Sequence, residues 1–104
     1  MVKLTVLYKH PTSPDAFEKY YAQTHFALAM KIGRLVRLEA TKFTPGPDGT
    51  APAYFRMGEL WFASEADMQA GLGSSEGQAA VADLANFATG GVVVMTGSAQ
   101  VLLG

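Results

Sequence analysis

His25 is the residue in this sequence best suited to moving a proton, because an imidazole changes charge near neutral pH and the chain holds only two histidines. Tyr21 precedes it by four residues, a spacing that places two side chains on one face of a helix. A phenol there can donate to a substrate carbonyl or orient the imidazole; equally, it can be core with its hydroxyl reaching water. His25 is open in the same way, as a proton carrier or as a half-buried ring bonded to a backbone carbonyl. Tyr20 points about 100° away from Tyr21 on a helix, so the two do not both line one pocket deeply.

Glu59 alternates with Phe55, Met57 and Trp61, an odd face for a carboxylate. Buried alone, it would hold its proton more tightly and serve as a general acid or base. Paired across strands with Arg37 or Lys3, or placed at a subunit rim, it does no chemistry, and Trp61 then lines a dimer contact or a pocket. Arg56 falls on the other face with Tyr54, Gly58, Leu60 and Phe62. There it either anchors a ligand carboxylate or snorkels at an edge. His10, next to Pro11, reads as a solvated loop residue. Asp83 and Asn86 read as holding the connection to the last strand, with no chemistry that requires them.

Other functions are disfavoured by composition. With no cysteine and two histidines at unrelated positions, no metal-ligand spacing is present, and haem through His25 alone is the remaining metal option. The glycines at 71 to 77 follow no strand, so no dinucleotide cradle is expected, and no cofactor with it. Eight basic and nine acidic residues give a net charge of -1, without the basic stripe that nucleic acid needs. A chain without cysteine suits a reducing compartment, and the cytoplasm is the default. The apolar run from Val2 to Tyr8 is too short to cross a membrane and lacks the flanks of a signal peptide.

Alternating residues at 2 to 8 predict a first strand. Ser13, Pro14 and Asp15 form a helix start, with Gly33 as the stop, and Phe17, Tyr21, His25, Leu28 and Ile32 make its apolar stripe. Residues 34 to 44 predict a second strand, with Val36, Leu38 and Ala40 alternating against Arg37, Glu39 and Thr41. A turn region follows, and residues 54 to 63 predict a third strand. Ser64 with Asp67 caps a short helix ending near Gly71 or Gly73, and Ser75 with Gln78 repeats the device for a longer helix closed by Gly90 and Gly91. The remainder from Val92 forms a last strand, with a bend allowed at Gly97.

This order predicts one domain over 1–104: an α+β, ferredoxin-like split βαβ fold with a four-stranded antiparallel sheet and helices on one face. Strand four has no polar face between Val92 and Met95, and strand three is apolar on both sides. The uncovered sheet face is therefore expected to meet a second copy in a homodimer.

Several strings together resemble the EthD family, within the superfamily of dimeric α+β barrels. They are Tyr20-Tyr21 with Thr24-His25 and Leu28, then Glu59-Leu60-Trp61-Phe62 with Ser64, then Asp83-Leu84 with Asn86-Phe87 before Gly90-Gly91. The similarity covers nearly the whole chain. It implies two subunits packed sheet to sheet, each with a cleft between sheet and helices for a small, largely apolar organic molecule. The wider superfamily holds cofactor-independent monooxygenases, polyketide cyclases, lactone isomerases and haem enzymes, and EthD proteins are associated with oxidative ether degradation. The resemblance thus implies cofactor-independent proton-transfer or oxidative chemistry, or else a binding protein that delivers its molecule to a partner oxygenase. Under it, His25, Tyr21 and Glu59 are the catalytic candidates, and Tyr20, Trp61 and Arg56 the binding candidates.

Overall fold

The computed structural model describes residues 1–104. Its elements are β1 (Val2–Tyr8), α1 (Pro14–Tyr20), a π-helical turn (Tyr21–His25), α2 (Phe26–Ala29), β2 (Leu35–Lys42), β3 (Arg56–Phe62), α3 (Glu65–Gly73), α4 (Ser75–Phe87) and β4 (Val92–Ser98). The sheet order is β2-β3-β1-β4, with every neighbouring pair antiparallel. This is the ferredoxin-like α+β arrangement, with both central strands made from sequence-distant segments.

Helix starts follow the capping chemistry. Ser13 accepts from the Ala16 amide at 3.3 Å and Ser64 from the Asp67 amide at 3.1 Å, each satisfying one of the donors that a helix end leaves free. For α4 the cap is Ser74, bonded to the Gly77 amide at 3.1 Å, and Ser75 lies inside the helix. Packing chose the earlier serine, because a Cβ at Gly77 would collide with the Gly71 carbonyl oxygen, so the two helices can approach only with glycine at that position. The first helix stops at Ala29, before the expected Gly33, and Arg34 takes the left-handed backbone conformation (φ 67°) that leads into β2.

In β2 the expected alternation breaks at once. Leu35 pairs opposite Phe62 and Arg37 opposite Trp61, so Val36 is the extra residue of a bulge and is 56% exposed. The last strand ends at Ser98, and Val101 to Leu103 lie beyond it, exposed. Phe55 precedes β3 and turns into the core against Phe17, with ring centroids 5.1 Å apart, so it does not share the face of Glu59.

The core lies between sheet and helices, with Leu4, Val6, Tyr8, Leu60 and Phe62 from the strands meeting Phe17, Tyr21, Ile32, Met68, Ala80 and Phe87. On the opposite face, strand register aligns Leu7 with Met57 and Val93, Thr5 with Glu59 and Met95, and Lys3 with Trp61. No helix covers that second face, because all helical residues of the core pack on the first.

Candidate functional site

The first helix reaches the core through a spacing of four, with Phe17, Tyr21, His25 and Ala29 all buried. In a straight α-helix each such step drifts about 40° around the axis, which would carry the later residues off the stripe. The π turn takes that drift back. Its Phe26 amide donates to the Tyr21 carbonyl five residues earlier, and the wider turn keeps His25 and Ala29 facing inward. π turns of this kind recur at functional sites. Leu28, expected on the stripe, is displaced to a half-buried position while Ala29 takes the interior one.

His25 is 7% exposed and lies between the rings of Tyr21 and Phe87, at centroid distances of 5.8 and 4.7 Å. Its Nδ1 meets Asp83 Oδ2 at 2.9 Å. The other carboxylate oxygen of Asp83 accepts from the Tyr20 hydroxyl at 2.6 Å and from the Asn86 amide at 2.9 Å. Burial pushes the Asp83 carboxyl up, but the bonds from Tyr20, Asn86 and His25 outweigh it and hold the group below the usual carboxylate range. An ionised carboxylate only accepts, so Nδ1 must carry its proton, and Nε2 is the nitrogen free to accept or donate. Nε2 has no partner in the chain, and no buried side-chain nitrogen or oxygen is left unpaired; this nitrogen therefore meets open space.

His25 lines a groove between helix and sheet together with Tyr8, Tyr21, Phe26, Leu38 and Leu60 among 17 residues, 14 of them hydrophobic. The groove leaves about 540 Å³ empty, its open mouth included. Among its lining residues Phe26, Leu38, Leu72 and Leu84 are half-buried. Burial pushes the phenols of Tyr8 and Tyr21 above their ordinary value, and the Tyr8 hydroxyl is shared with that of Tyr21, so both stay protonated beside the groove.

The structure brings His25, Tyr21 and, through Asp83, Tyr20 into one constellation. It separates the other three candidates. Glu59 and Trp61 lie on the far face of the sheet, since β3 turns Gly58, Leu60 and Phe62 to the helices and its alternate residues away. Glu59 accepts from Lys3 Nζ at 2.6 Å, the cross-strand pair that was its structural alternative, and Trp61 has the cations of Lys3 and Arg37 each 5.4 Å from its ring. Both thus lie on the sheet face opposite the groove. Arg56 does face the helices, but its guanidinium is taken up by both carboxylate oxygens of Glu18, at 2.7 and 2.6 Å, and sits 5.2 Å over the Tyr21 ring. His10 donates from Nε2 to the Pro52 carbonyl oxygen at 2.7 Å.

Asp83 is the residue that sequence reasoning passed over. Its signal was present: Gly77, Ala80, Asp83 and Phe87 form the buried face of α4, and an acid on an apolar helical stripe calls for a partner.

An α+β ferredoxin-like subunit whose helix-covered groove holds a carboxylate-bound imidazole among apolar walls fits a small-molecule-binding domain. The chain belongs to the EthD family, whose domain model matches residues 9–91. It is 38% identical over 95 residues to an uncharacterized 11.0 kDa protein in the thcB-thcC intergenic region of Rhodococcus erythropolis, covering 91% of each chain. A solved ethyl tert-butyl ether d (EthD) family protein from Bacillus halodurans superposes with a TM-score of 0.89 at 30% identity, over 96% of this chain and 99% of that one. Two more distant structures share the fold. One is a dimeric ferredoxin-like protein of unknown function from Thermobifida fusca, at TM-score 0.68 and 16% identity over 94% of this chain and 90% of that one. The other is SnoaB, a cofactor-independent oxygenase from Streptomyces nogalater, at TM-score 0.65 and 15% identity over 97% and 94%. No helix of the chain is long and apolar enough to cross a membrane.

Proposed function

We propose that the chain binds a small, largely apolar organic molecule carrying an acidic hydrogen in the groove between its first helix and its sheet, and that His25 removes that hydrogen as a proton. The supporting observation is the 2.9 Å contact between Asp83 and His25 Nδ1, with Nε2 left open to apolar walls. The ligand's O–H or C–H bond breaks, its electron pair stays on the ligand, and an N–H bond forms at Nε2. The resulting imidazolium is offset by the adjacent Asp83 carboxylate. Tyr21, whose hydroxyl accepts from Tyr8, stands at the same groove as the donor toward the anion. A carbanion formed this way can pass electrons to dioxygen or attack an internal carbonyl without a bound cofactor, and the description of SnoaB as a cofactor-independent oxygenase on a similar fold supports that route.

Titration with 1-naphthol, a flat apolar acid, tests the reading by its own fluorescence. Saturable binding is expected, with the bound naphthol ionising at lower pH than the free one; absence of saturable binding would overturn the proposal.

The working unit in this reading is a homodimer packed through the outer sheet face. Leu7, Met57, Trp61, Val93 and Met95 share that face, Met95 is 49% exposed in the lone subunit, and a structural relative is described as dimeric. The Lys3–Glu59 and Arg37–Glu39 pairs neutralise the charges that such an interface would bury. Light scattering at micromolar concentration is expected to give twice the 11.0 kDa chain mass; a stable monomer would contradict it.

A further inference from the structure

Asp83 joins two places that are otherwise separate. Its Oδ2 accepts from His25 Nδ1 at 2.9 Å, while its Oδ1 accepts from the Tyr20 hydroxyl at 2.6 Å and from the Asn86 amide at 2.9 Å. Tyr20 and Asn86 line a second hollow with Thr12, Ser13 and Thr89, about 430 Å³ empty with its opening included. No residue lines both this hollow and the His25 groove.

A carboxylate that already accepts two bonds on one oxygen has less charge to offer a donor on the other. Of the two, the phenol is the closer, at a length ordinary for a hydroxyl bonded to a charged carboxylate. Its bond to Asp83 raises the Tyr20 phenol above its ordinary value, so it remains a donor through neutral pH. The hydroxyl is not needed to orient Asp83, because Asn86 holds the same oxygen from within α4. Nor does it set the ring, which stacks on Phe87 with centroids 5.2 Å apart. What the hydroxyl adds is electrostatic. Asp83 is also the carboxylate that bears on the imidazole: Tyr8 and Tyr21 stay protonated, and Glu39, the other acid lining the groove, is paired with Arg37.

We infer that Tyr20 is a positioning residue that acts on His25 through Asp83, drawing part of the carboxylate's charge away from Nδ1 and so restraining the imidazole as a base. The same bond keeps Asp83 ionised, and the Nδ1 proton stays on the ring. The consequence for the ligand rests on the proposed binding in the groove, and it places a control point for that site outside the groove itself.

Tyr20→Phe tests this, since it keeps the stacked ring and removes only the hydroxyl. Water from the hollow replaces a phenol as a weaker donor, so the bond from His25 to Asp83 should strengthen and the Nδ1–H proton resonance of His25 should move downfield. Affinity for 1-naphthol should rise on the order of threefold, a part of the tenfold that one whole hydrogen bond is worth, because a more basic Nε2 holds the acid better. Asn86→Ala, which takes the longer bond from the same oxygen, should move both readouts the same way by less. A Tyr20 that serves packing alone would weaken binding when altered. A His25 resonance that stays in place or moves upfield in both variants, or a Tyr20→Phe that binds 1-naphthol no more tightly than wild type, would overturn this inference alone. A wild-type protein that does not bind 1-naphthol would instead overturn the groove reading, with the resonance still deciding the role of Tyr20.

Discussion

Replacing Asp83 with alanine is expected to lower the melting temperature by about 10–20 °C. The carboxylate receives three donors from two helices, Tyr20 and His25 from the first and Asn86 from its own α4. Without it, the half-buried Tyr20 and the exposed Asn86 turn to water, but the Nδ1–H of a ring that is 7% exposed is stranded. Leaving such a buried donor unpaired beside a small cavity costs about 2–3 kcal/mol, and each kcal/mol shifts the midpoint of a domain this size by about 4–8 °C. Because the folded-state pKa of Asp83 is lowered from 3.8, its contribution is complete above that value and is lost as pH falls through the depressed one. The gap between wild type and Asp83→Ala should therefore be full at neutral pH and shrink in acid. A gap under about 4 °C at pH 7 would show that the carboxylate does not organise this site.

His25→Ala is expected to weaken 1-naphthol binding by about 10- to 100-fold, the worth of one hydrogen bond involving a charged group, and to return the bound naphthol's ionisation toward that of the free acid. The substitution costs about 1–3 kcal/mol of stability, since the ring fills space between Tyr21 and Phe87 and satisfies Asp83. The protein should still fold, so binding can be measured directly. A chain that only delivers its molecule to a partner oxygenase would keep wild-type affinity in His25→Ala, because apolar walls alone would hold the ligand.

Alternation in β1 and the caps at Ser13 and Ser64 act locally, and both were readable in the sequence. So was the pairing of Tyr21 with His25, which a four-residue helical spacing imposes whatever the remainder does. What the sequence hid depends on contacts between distant segments. The π turn keeps the four-residue stripe of the first helix against the sheet, and the cap of α4 moved to Ser74 because Gly77 must face Gly71. Glu59 looked chemical because its neighbours are apolar, yet Lys3 is brought beside it only by the pairing of β1 with β3. Asp83 looked structural because its partners lie 58 and 63 residues away.

The central claim is that Asp83 fixes the His25 proton on Nδ1 and leaves Nε2 to meet the ligand. Long-range proton–nitrogen correlation spectra of ¹⁵N-labelled protein read this directly, since His10 is the only other histidine and His10→Ala assigns the signals. Nδ1 of His25 is expected to carry the proton that Asp83 accepts, and the Nε2 signal is expected to move when 1-naphthol is added while that of His10 stays. A His25 protonated on Nε2 with Nδ1 bare, or a His25 whose signals are unmoved by saturating 1-naphthol, would contradict it.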